Sequence, residues 1–188
     1  MNRKLLLLIL SDVLILSSFG LIAPIFALFI TDNLVGGSLV TAGLATTIFL
    51  ATRSVVQLPL SLYIDKQHHK TRLLIFGTFL IITVPFIYLI AKSVYTIFIA
   101  QVIYGVGAAF AYPTWFTLFT SYLDKKHKGF EYSLWSTSIG IGTAISAFLG
   151  AEIANSFGFK FLFFVVGFFA FLGFLILLFL DVKHRKRK

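Results

Sequence analysis

The chain has 188 residues, of which 59% are hydrophobic and 12% are charged, whereas a globular domain is roughly half apolar and about a quarter charged. This balance indicates lipid as the solvent, and the absence of cysteine excludes disulfides, thiolate metal sites and a cysteine nucleophile. A net charge of +9 would suit nucleic acid, but the basic residues lie in short clusters between apolar runs, so no nucleic-acid partner is expected.

Apolar segments long enough to cross a bilayer follow one another along the chain, since a spanning helix needs about 20 mostly apolar residues. In hydrocarbon a backbone amide must find its hydrogen bond within its own segment, so helices are the expected structure. The sequence therefore predicts an all-α membrane protein in which residues 1–188 form a single six-helix transmembrane domain. The predicted spans are about 5–30, 39–64, 73–91, 95–122, 132–157 and 161–180.

The positions of lysine and arginine predict the topology. Thirteen of the 16 lie at the start of the chain, after the second and fourth spans, or at the end of the chain. Lys92 and Lys160 lie on the opposite side, and Arg53 lies inside a span. Because cytoplasmic loops carry the excess of basic residues, both termini are predicted to be cytoplasmic in a multi-pass protein of the inner or plasma membrane.

The first predicted span carries Asp12 and Pro24. Its basic start and leucine run are typical of a signal peptide, but the apolar run continues to Ile30 without a small-residue cleavage site, so an uncleaved span is expected. Asp12 lies roughly 12 Å along the helix from the first basic residues. Pro24 removes a helix hydrogen bond and is expected to bend the span.

Arg53 lies in the second predicted span, roughly 18 Å from Asp65 at the span's end. An arginine near the bilayer centre costs about 2.5–3.5 kcal/mol, so it should face the bundle interior or a water-filled cavity. Gln57, Ser61 and Asp65 follow at four-residue steps and form a polar stripe. Arg53 is predicted to pair with Asp12 or with an anionic substrate; the alternative is snorkelling or a purely structural pair.

The segment SLYIDKQHHKTR after the second span resembles the signature loop of major facilitator superfamily transporters. That pattern has Gly, three residues, Asp, a basic residue, any residue, Gly and then further basic positions. Asp65 and Lys66 match it, and Lys70 and Arg72 fall in the basic tail, but Ser61 and His68 replace the two glycines. The resemblance implies that Asp65 acts as a gate latch that binds across to a second half; the alternative is a solvated turn that sets the topology.

The fourth predicted span contains QVIYGVGAAFAYPTW, in which Pro113 is expected to bend the helix. It is similar to a run of the same superfamily, although Gln101 stands where arginine is usual. Bent helices line the substrate site in transporters, whereas small and hydroxyl residues also serve helix packing. The residues predicted to line the substrate path are Asp12, Arg53, Gln57, Tyr104, Tyr112 and Trp115.

The resemblance covers the whole chain but only half of a family member, which has twelve helices in two halves, each a 3+3 inverted repeat. It implies transport of a small organic solute by the N-terminal half, or a dimerising half, of a secondary transporter. The expected partners are the lipid bilayer, a small-molecule substrate and a second six-helix half. The alternative is a non-transporting six-helix scaffold or an inactive truncated remnant.

Neither an enzyme nor a cofactor is predicted. Catalysis within the membrane needs a nucleophile and a base inside the bundle, but all four histidines lie in predicted cytoplasmic segments. Zinc-type helical spacing and a glycine-rich phosphate loop are missing from the sequence.

Overall fold

The computed structural model describes residues 2–67 and 69–185, with side chains through Leu180. The all-helical class is confirmed: the one strand-like feature in the described part is an isolated bridge between Val35 and Ser93. The elements in chain order are α1 (Arg3–Gly20), a 3-10 turn (Ala23–Ile25), α2 (Phe26–Asn33), α3 (Leu39–Lys66), α4 (Lys70–Ile90), α5 (Val94–Tyr122) and α6 (Lys128–Arg185).

Local chemistry explains where several helices begin and end. The Asn2 side chain accepts a hydrogen bond from the Lys4 amide and caps α1. Ser38 and Thr41 form a reciprocal capping box at the start of α3, because each hydroxyl accepts the other residue's backbone N–H. Pro24 lies in the 3-10 turn that separates α1 from α2, so the first predicted span is interrupted where proline cannot donate a backbone hydrogen bond.

Among the residues that the structure describes, five stretches are helical, long and apolar enough to cross a membrane, where the sequence predicts six spans. The difference lies in α6, whose 58 residues leave helical geometry only at Gly158, with φ 81° and ψ 166°. A Cβ atom at Gly142 would contact Ser17, and one at Gly173 would lie 2.7 Å from Ile15, so both sides of the break pack on the middle of α1. A straight helix would separate these two glycines by about 46 Å, so the chain folds back at Gly158.

Gly158→Ala is expected to cost about 1–3 kcal/mol in stability, because its backbone conformation is essentially restricted to glycine. No described atom lies within 4 Å of a Cβ placed there, so the penalty is a backbone one. Thermal unfolding in detergent measures it. Gly140→Ala is the matched control, since Gly140 is helical and also faces open space, and it should be neutral or stabilising. Equal unfolding temperatures for the two variants would contradict the expectation.

The helices pack around two large apolar clusters and a small third one of Ile82, Ala170 and Phe174. One lies at the end of the bundle that holds the α1 start and the Leu180 end of α6, and includes Leu8, Trp115 and Phe119. The other lies at the opposite end and includes Phe29 and Phe163. α1 packs mainly on α6, while α5 packs on α3 and α4. A space lined by α1, α3, α5 and α6 lies beside the first of these clusters, which shares Trp115 with it.

Candidate functional site

A cavity of about 290 Å³ lies in the middle of the bundle, between α1, α3, α5 and α6. Small-molecule sites are concave, mostly apolar and supplied with a few convergent polar groups. This cavity fits that description, because two charged side chains meet apolar and aromatic ones there. Its lining residues are Asp12, Leu16, Arg53, Tyr112, Trp115, Phe116 and Trp135.

Arg53 is half-buried and is held by neutral groups. Its Nε donates a hydrogen bond of 3.0 Å to Gln57 Oε1, one turn further along α3. Its guanidinium lies over the Tyr112 ring, 4.5 Å from the ring centroid. A cation over an aromatic face is attracted by the ring quadrupole, and more strongly where water is excluded. Gln57 and Tyr112 therefore fix the guanidinium at the cavity wall without neutralising it.

Asp12 is held in the same way, by a neutral donor from another helix. Trp135 Nε1 donates a 2.8 Å hydrogen bond to Asp12 Oδ2. Among the residues that the structure describes, the ion pair within 4.0 Å joins His127 and Asp124, so Arg53 and Asp12 do not form one. The direct pair considered from the sequence is therefore not made in this structure, and the two opposite charges face one cavity separately.

The tryptophans form an aromatic wall beside the two charges. The Trp115 and Trp135 ring centroids are 4.8 Å apart, and Phe119 stacks on Trp115 at 4.7 Å. This packing orients the Trp135 N–H toward Asp12. Trp115 Nε1 is buried and has no hydrogen-bond partner within residues 2–67 and 69–180, and such a donor is costly to leave unpaired.

Tyr104 lies outside this cavity. It is sandwiched between Phe19 and Phe49, with ring centroids 5.2 and 4.4 Å away. On its far side is a second cavity of about 180 Å³, which also contacts Tyr88 and Gln101. Tyr104 also lines a small pocket of about 30 Å³ together with Asp12, Tyr112 and Trp115, so it lies next to the charged cavity.

Comparison with known proteins decides the family. The family model of the Major Facilitator Superfamily matches residues 8–188. The chain belongs to this superfamily. Its all-helical fold also matches a crystal structure of the POT family transporter PepTSo, with a TM-score of 0.77 at 15% identity. That match covers 95% of this chain and 37% of PepTSo, and at this identity it supports the fold alone.

The curated relatives are longer proteins. An uncharacterized MFS-type transporter of Methanocaldococcus jannaschii is 26% identical over 157 residues, which are 84% of this chain and 40% of the relative. The multi-drug resistance efflux pump PmrA of Streptococcus pneumoniae is 28% identical over 159 residues, or 84% of this chain and 39% of the pump. The chain therefore spans about two fifths of the length of these relatives.

Gln101, which replaces the usual arginine of the superfamily, is 4% exposed. Its Oε1 has no hydrogen-bond partner among the described residues. Since an unpaired buried polar atom is destabilising, Gln101→Leu is expected to raise stability by about 1 kcal/mol. Thermal unfolding in detergent checks this. Gln57→Leu is the contrasting variant, because it removes an amide that accepts a hydrogen bond from Arg53 and should therefore lower the unfolding temperature. A lower unfolding temperature for both variants would contradict the expectation.

The signature loop of this major facilitator chain lies between α3 and α4. Asp65 is exposed one residue before the end of α3, and the Ser61 hydroxyl donates to the Leu58 carbonyl at 2.9 Å. In the part of the chain that the structure describes, no basic residue lies within 4.0 Å of Asp65. The loop residues Lys66, Lys70 and Arg72 are therefore not ion-paired with it, and His68 lies outside the described residues.

The predicted helix bends lie outside the charged cavity. Pro24 is in the turn after α1, and Pro113 is inside α5, where the Thr117 hydroxyl donates to its carbonyl at 2.8 Å. Thr143 and Ser146 of α6 pack against α1 at Gly20, where a Cβ atom would lie 3.1–3.3 Å from them.

Some site residues of this superfamily member were not predicted from its sequence. Trp135, Leu16 and Phe116 line the cavity, and Trp135 is 123 positions from Asp12, its hydrogen-bond partner. The only feature of the sequence that could have drawn attention to Trp135 is that tryptophan is rare in this chain, which has two of them. Helical periodicity relates neighbours along one helix, so it could not link α1 with α6.

The turn between α5 and α6 also holds an unpredicted buried acid. Glu131 is 3% exposed and its Oε2 accepts the Asp124 amide at 2.8 Å. Asp124 is exposed; the Lys126 backbone N–H donates to it, and the His127 ring lies 3.3 Å away. These contacts lower the pKa of Asp124 below its ordinary value, and the hydrogen bond from Lys126 has the largest effect. The turn is thus closed by carboxylates on the side of the bundle that holds the signature loop.

Proposed function

We propose that the chain moves a small organic solute across a cell membrane as one half of a major facilitator-type secondary transporter. The observation that carries this proposal is the cavity of about 290 Å³ where Asp12 and Arg53, from different helices, face the same space. Charged side chains within a membrane bundle are costly and mark substrate or ion pathways. The family membership supports transport, and Asp12, Arg53, Tyr112 and Trp115 are the proposed contacts of the solute.

The other half of the transporter is proposed to cover α3. In its most apolar 18-residue window only 11% of α3 is buried, against 39–50% in the other candidate spans. Yet α3 carries Arg53, and its exposed face includes Val55, Leu58 and Leu62. A helix with an arginine at its centre is poorly suited to lie open to lipid. The relatives' greater length supports a second six-helix half, either a C-terminal half or another copy of this chain.

The membrane arrangement is proposed from the break at Gly158. Residues 128–157 and 159–180 would form the fifth and sixth spans, which would complete a six-helix 3+3 inverted repeat. With an even number of spans, both termini lie on one side, and the bias of basic residues places that side in the cytoplasm.

The gating parts of the proposal are the α3–α4 loop and the two proline bends. Asp65 is exposed and without a basic neighbour within 4.0 Å among the described residues, so it is available to bind across to the second half. Ser61, Lys66, Lys70 and Arg72 complete this loop, and Pro24 and Pro113 supply flexible points in the helices beside the cavity.

Transport is tested in proteoliposomes with radiolabelled tetraphenylphosphonium, benzoate, phenylalanine and glucose. The protein is reconstituted alone and together with the remainder of a full-length transporter from the same locus. Uptake of at least one solute above that of protein-free vesicles is expected in one of the two preparations. Uptake at the protein-free level in both preparations would overturn the proposal.

The second half is tested by cross-linking, which is clean because the chain has no native cysteine. Val55→Cys places a thiol on the exposed face of α3, where it is 74% exposed. Phe164→Cys, 55% exposed on α6, is the matched control away from α3. A maleimide–benzophenone reagent, which is attached to the thiol and then inserts into a neighbouring C–H bond on illumination, is expected to link Val55→Cys to a second copy or a second half at the corresponding mass, and to leave Phe164→Cys uncoupled. Equal coupling of both variants would count against a specific partner at α3.

A further inference from the structure

We propose that the charged cavity selects a zwitterionic organic solute, with the cationic group at Asp12 and the anionic group at Arg53. The inference deepens the proposed function by naming a substrate class. It rests on that function only for the statement that the bound solute is transported. The binding preference itself follows from the geometry of the cavity.

The two charges are both available to a ligand. Arg53 uses Nε for Gln57, so the terminal nitrogens of the guanidinium remain, and these form the fork that matches a carboxylate. Asp12 uses Oδ2 for the Trp135 indole, which leaves Oδ1 for an ammonium group. Neither charge is cancelled by the other within 4.0 Å in the described part of the chain.

A singly charged ligand would leave one of these groups uncompensated. A bound solute displaces water from the cavity, so a charge that finds no partner on the solute has lost water and gained nothing. A zwitterion compensates both at once and adds no net charge to the bundle. Charge-assisted hydrogen bonds are also about twice as strong as neutral ones. The cavity should therefore prefer a zwitterion to its cationic or anionic analogue.

The remaining walls indicate the body of the solute. Leu16, Phe116 and the ring faces of Trp115 and Trp135 are apolar, which suits an aliphatic or aromatic body. An aromatic amino acid is the simplest molecule with these features.

Intrinsic fluorescence is a direct readout, because the only two tryptophans of the chain both line this cavity. The purified full chain is titrated with two matched sets of probes and excited at the red edge of tryptophan absorption. The first set is phenylalanine, phenethylamine and 3-phenylpropionate. The second set is 4-(aminomethyl)benzoate, benzylamine and benzoate. Its zwitterion, 4-(aminomethyl)benzoate, has its two charges further apart than phenylalanine does. At least one zwitterion is expected to bind about tenfold or more tightly than either of its analogues.

Charge-removing variants assign the two ends. In Arg53→Gln the preference for the zwitterion over the amine is expected to vanish, and in Asp12→Asn the preference over the carboxylate should vanish. Because each preference is a ratio measured on one protein sample, a loss of folded protein lowers both affinities equally. Arg3→Gln and Asp32→Asn make the same chemical changes at exposed positions outside the cavity and should keep both preferences.

Two results would overturn the inference: an analogue with one charge that binds as tightly as its zwitterion in both sets, or no fluorescence response to any probe. Failure of the proposed function is a different result. Zwitterion binding without uptake in the proteoliposomes would leave a selective cavity in a protein that does not transport. Uptake of a singly charged solute without zwitterion preference would leave a transporter of another substrate class.

Discussion

Replacing Arg53 with leucine is expected to abolish solute uptake while leaving the protein in the membrane. Leucine lacks the guanidinium that faces the cavity, and hydrogen bonds to a charged group are worth about 1.5–3 kcal/mol each. Two such bonds to a carboxylate predict a loss of at least about a hundredfold in apparent affinity. Insertion should be retained, because leucine is favoured at the centre of a spanning helix by about 3 kcal/mol relative to arginine.

The initial rate of uptake in proteoliposomes and the yield in the membrane fraction measure the two parts of this expectation. Arg53→Lys is the informative companion, because it keeps the positive charge but loses the planar fork and the stacking over Tyr112; partial activity is expected. Arg3→Leu removes an exposed arginine at the start of α1 and should leave uptake unchanged. Wild-type uptake by Arg53→Leu would refute a role of this residue in the solute path.

Replacing Gly150 with alanine is expected to destabilise the bundle by about 3 kcal/mol or more, through overpacking that shifts the backbone. A Cβ atom at Gly150 would overlap the Leu21 carbonyl oxygen, and it would lie 2.7 Å from Leu21 Cα. Both are backbone atoms at the end of α1, so no side-chain rotation can relieve the contact. The α1–α6 interface, which is the most extensive helix contact in the bundle, would have to separate.

Thermal unfolding in detergent and the fraction of monodisperse protein measure this loss. Gly140→Ala lies ten positions earlier in the same helix, where no atom of the described neighbours lies within 4 Å of its Cβ, and it should be as stable as the wild type or more so. The pair therefore separates close packing from helix propensity. A Gly150→Ala protein as stable as Gly140→Ala would show that α1 and α6 do not approach as closely as described.

Family membership was the part of the sequence interpretation that could be drawn from local residues. The Asp65–Lys66 pair with its basic tail and the glycine-rich run after Gln101 predicted the major facilitator superfamily, and the family model over residues 8–188 confirms it. Such motifs are short and contiguous, so a single segment carries them. The proposed gate latch at Asp65 stays a prediction, because no basic residue in the described part of the chain lies within 4.0 Å of it.

The composition of the candidate site was only partly predictable. Depth along a helix brought Asp12 and Arg53 to similar levels of the bilayer, and both line one cavity. Depth does not give direction around the helix axis, however. The sequence could not show that Asp12 accepts its hydrogen bond from Trp135, that Arg53 turns to Gln57 and Tyr112, or that Tyr104 stacks on Phe19 and Phe49.

The amino-acid sequence by itself determined that the chain is helical and built for lipid, since runs of about 20 apolar residues leave the backbone no other partner in hydrocarbon. It also determined that Arg53, inside a membrane span, had to face away from lipid. Only the tertiary structure decided which residues contact the arginine, that α6 reverses at Gly158, and that the two half-buried charges share a cavity without pairing. The physical reason is that helix formation is local, whereas the contacts of a side chain depend on how helices far apart in the sequence rotate and pack against one another.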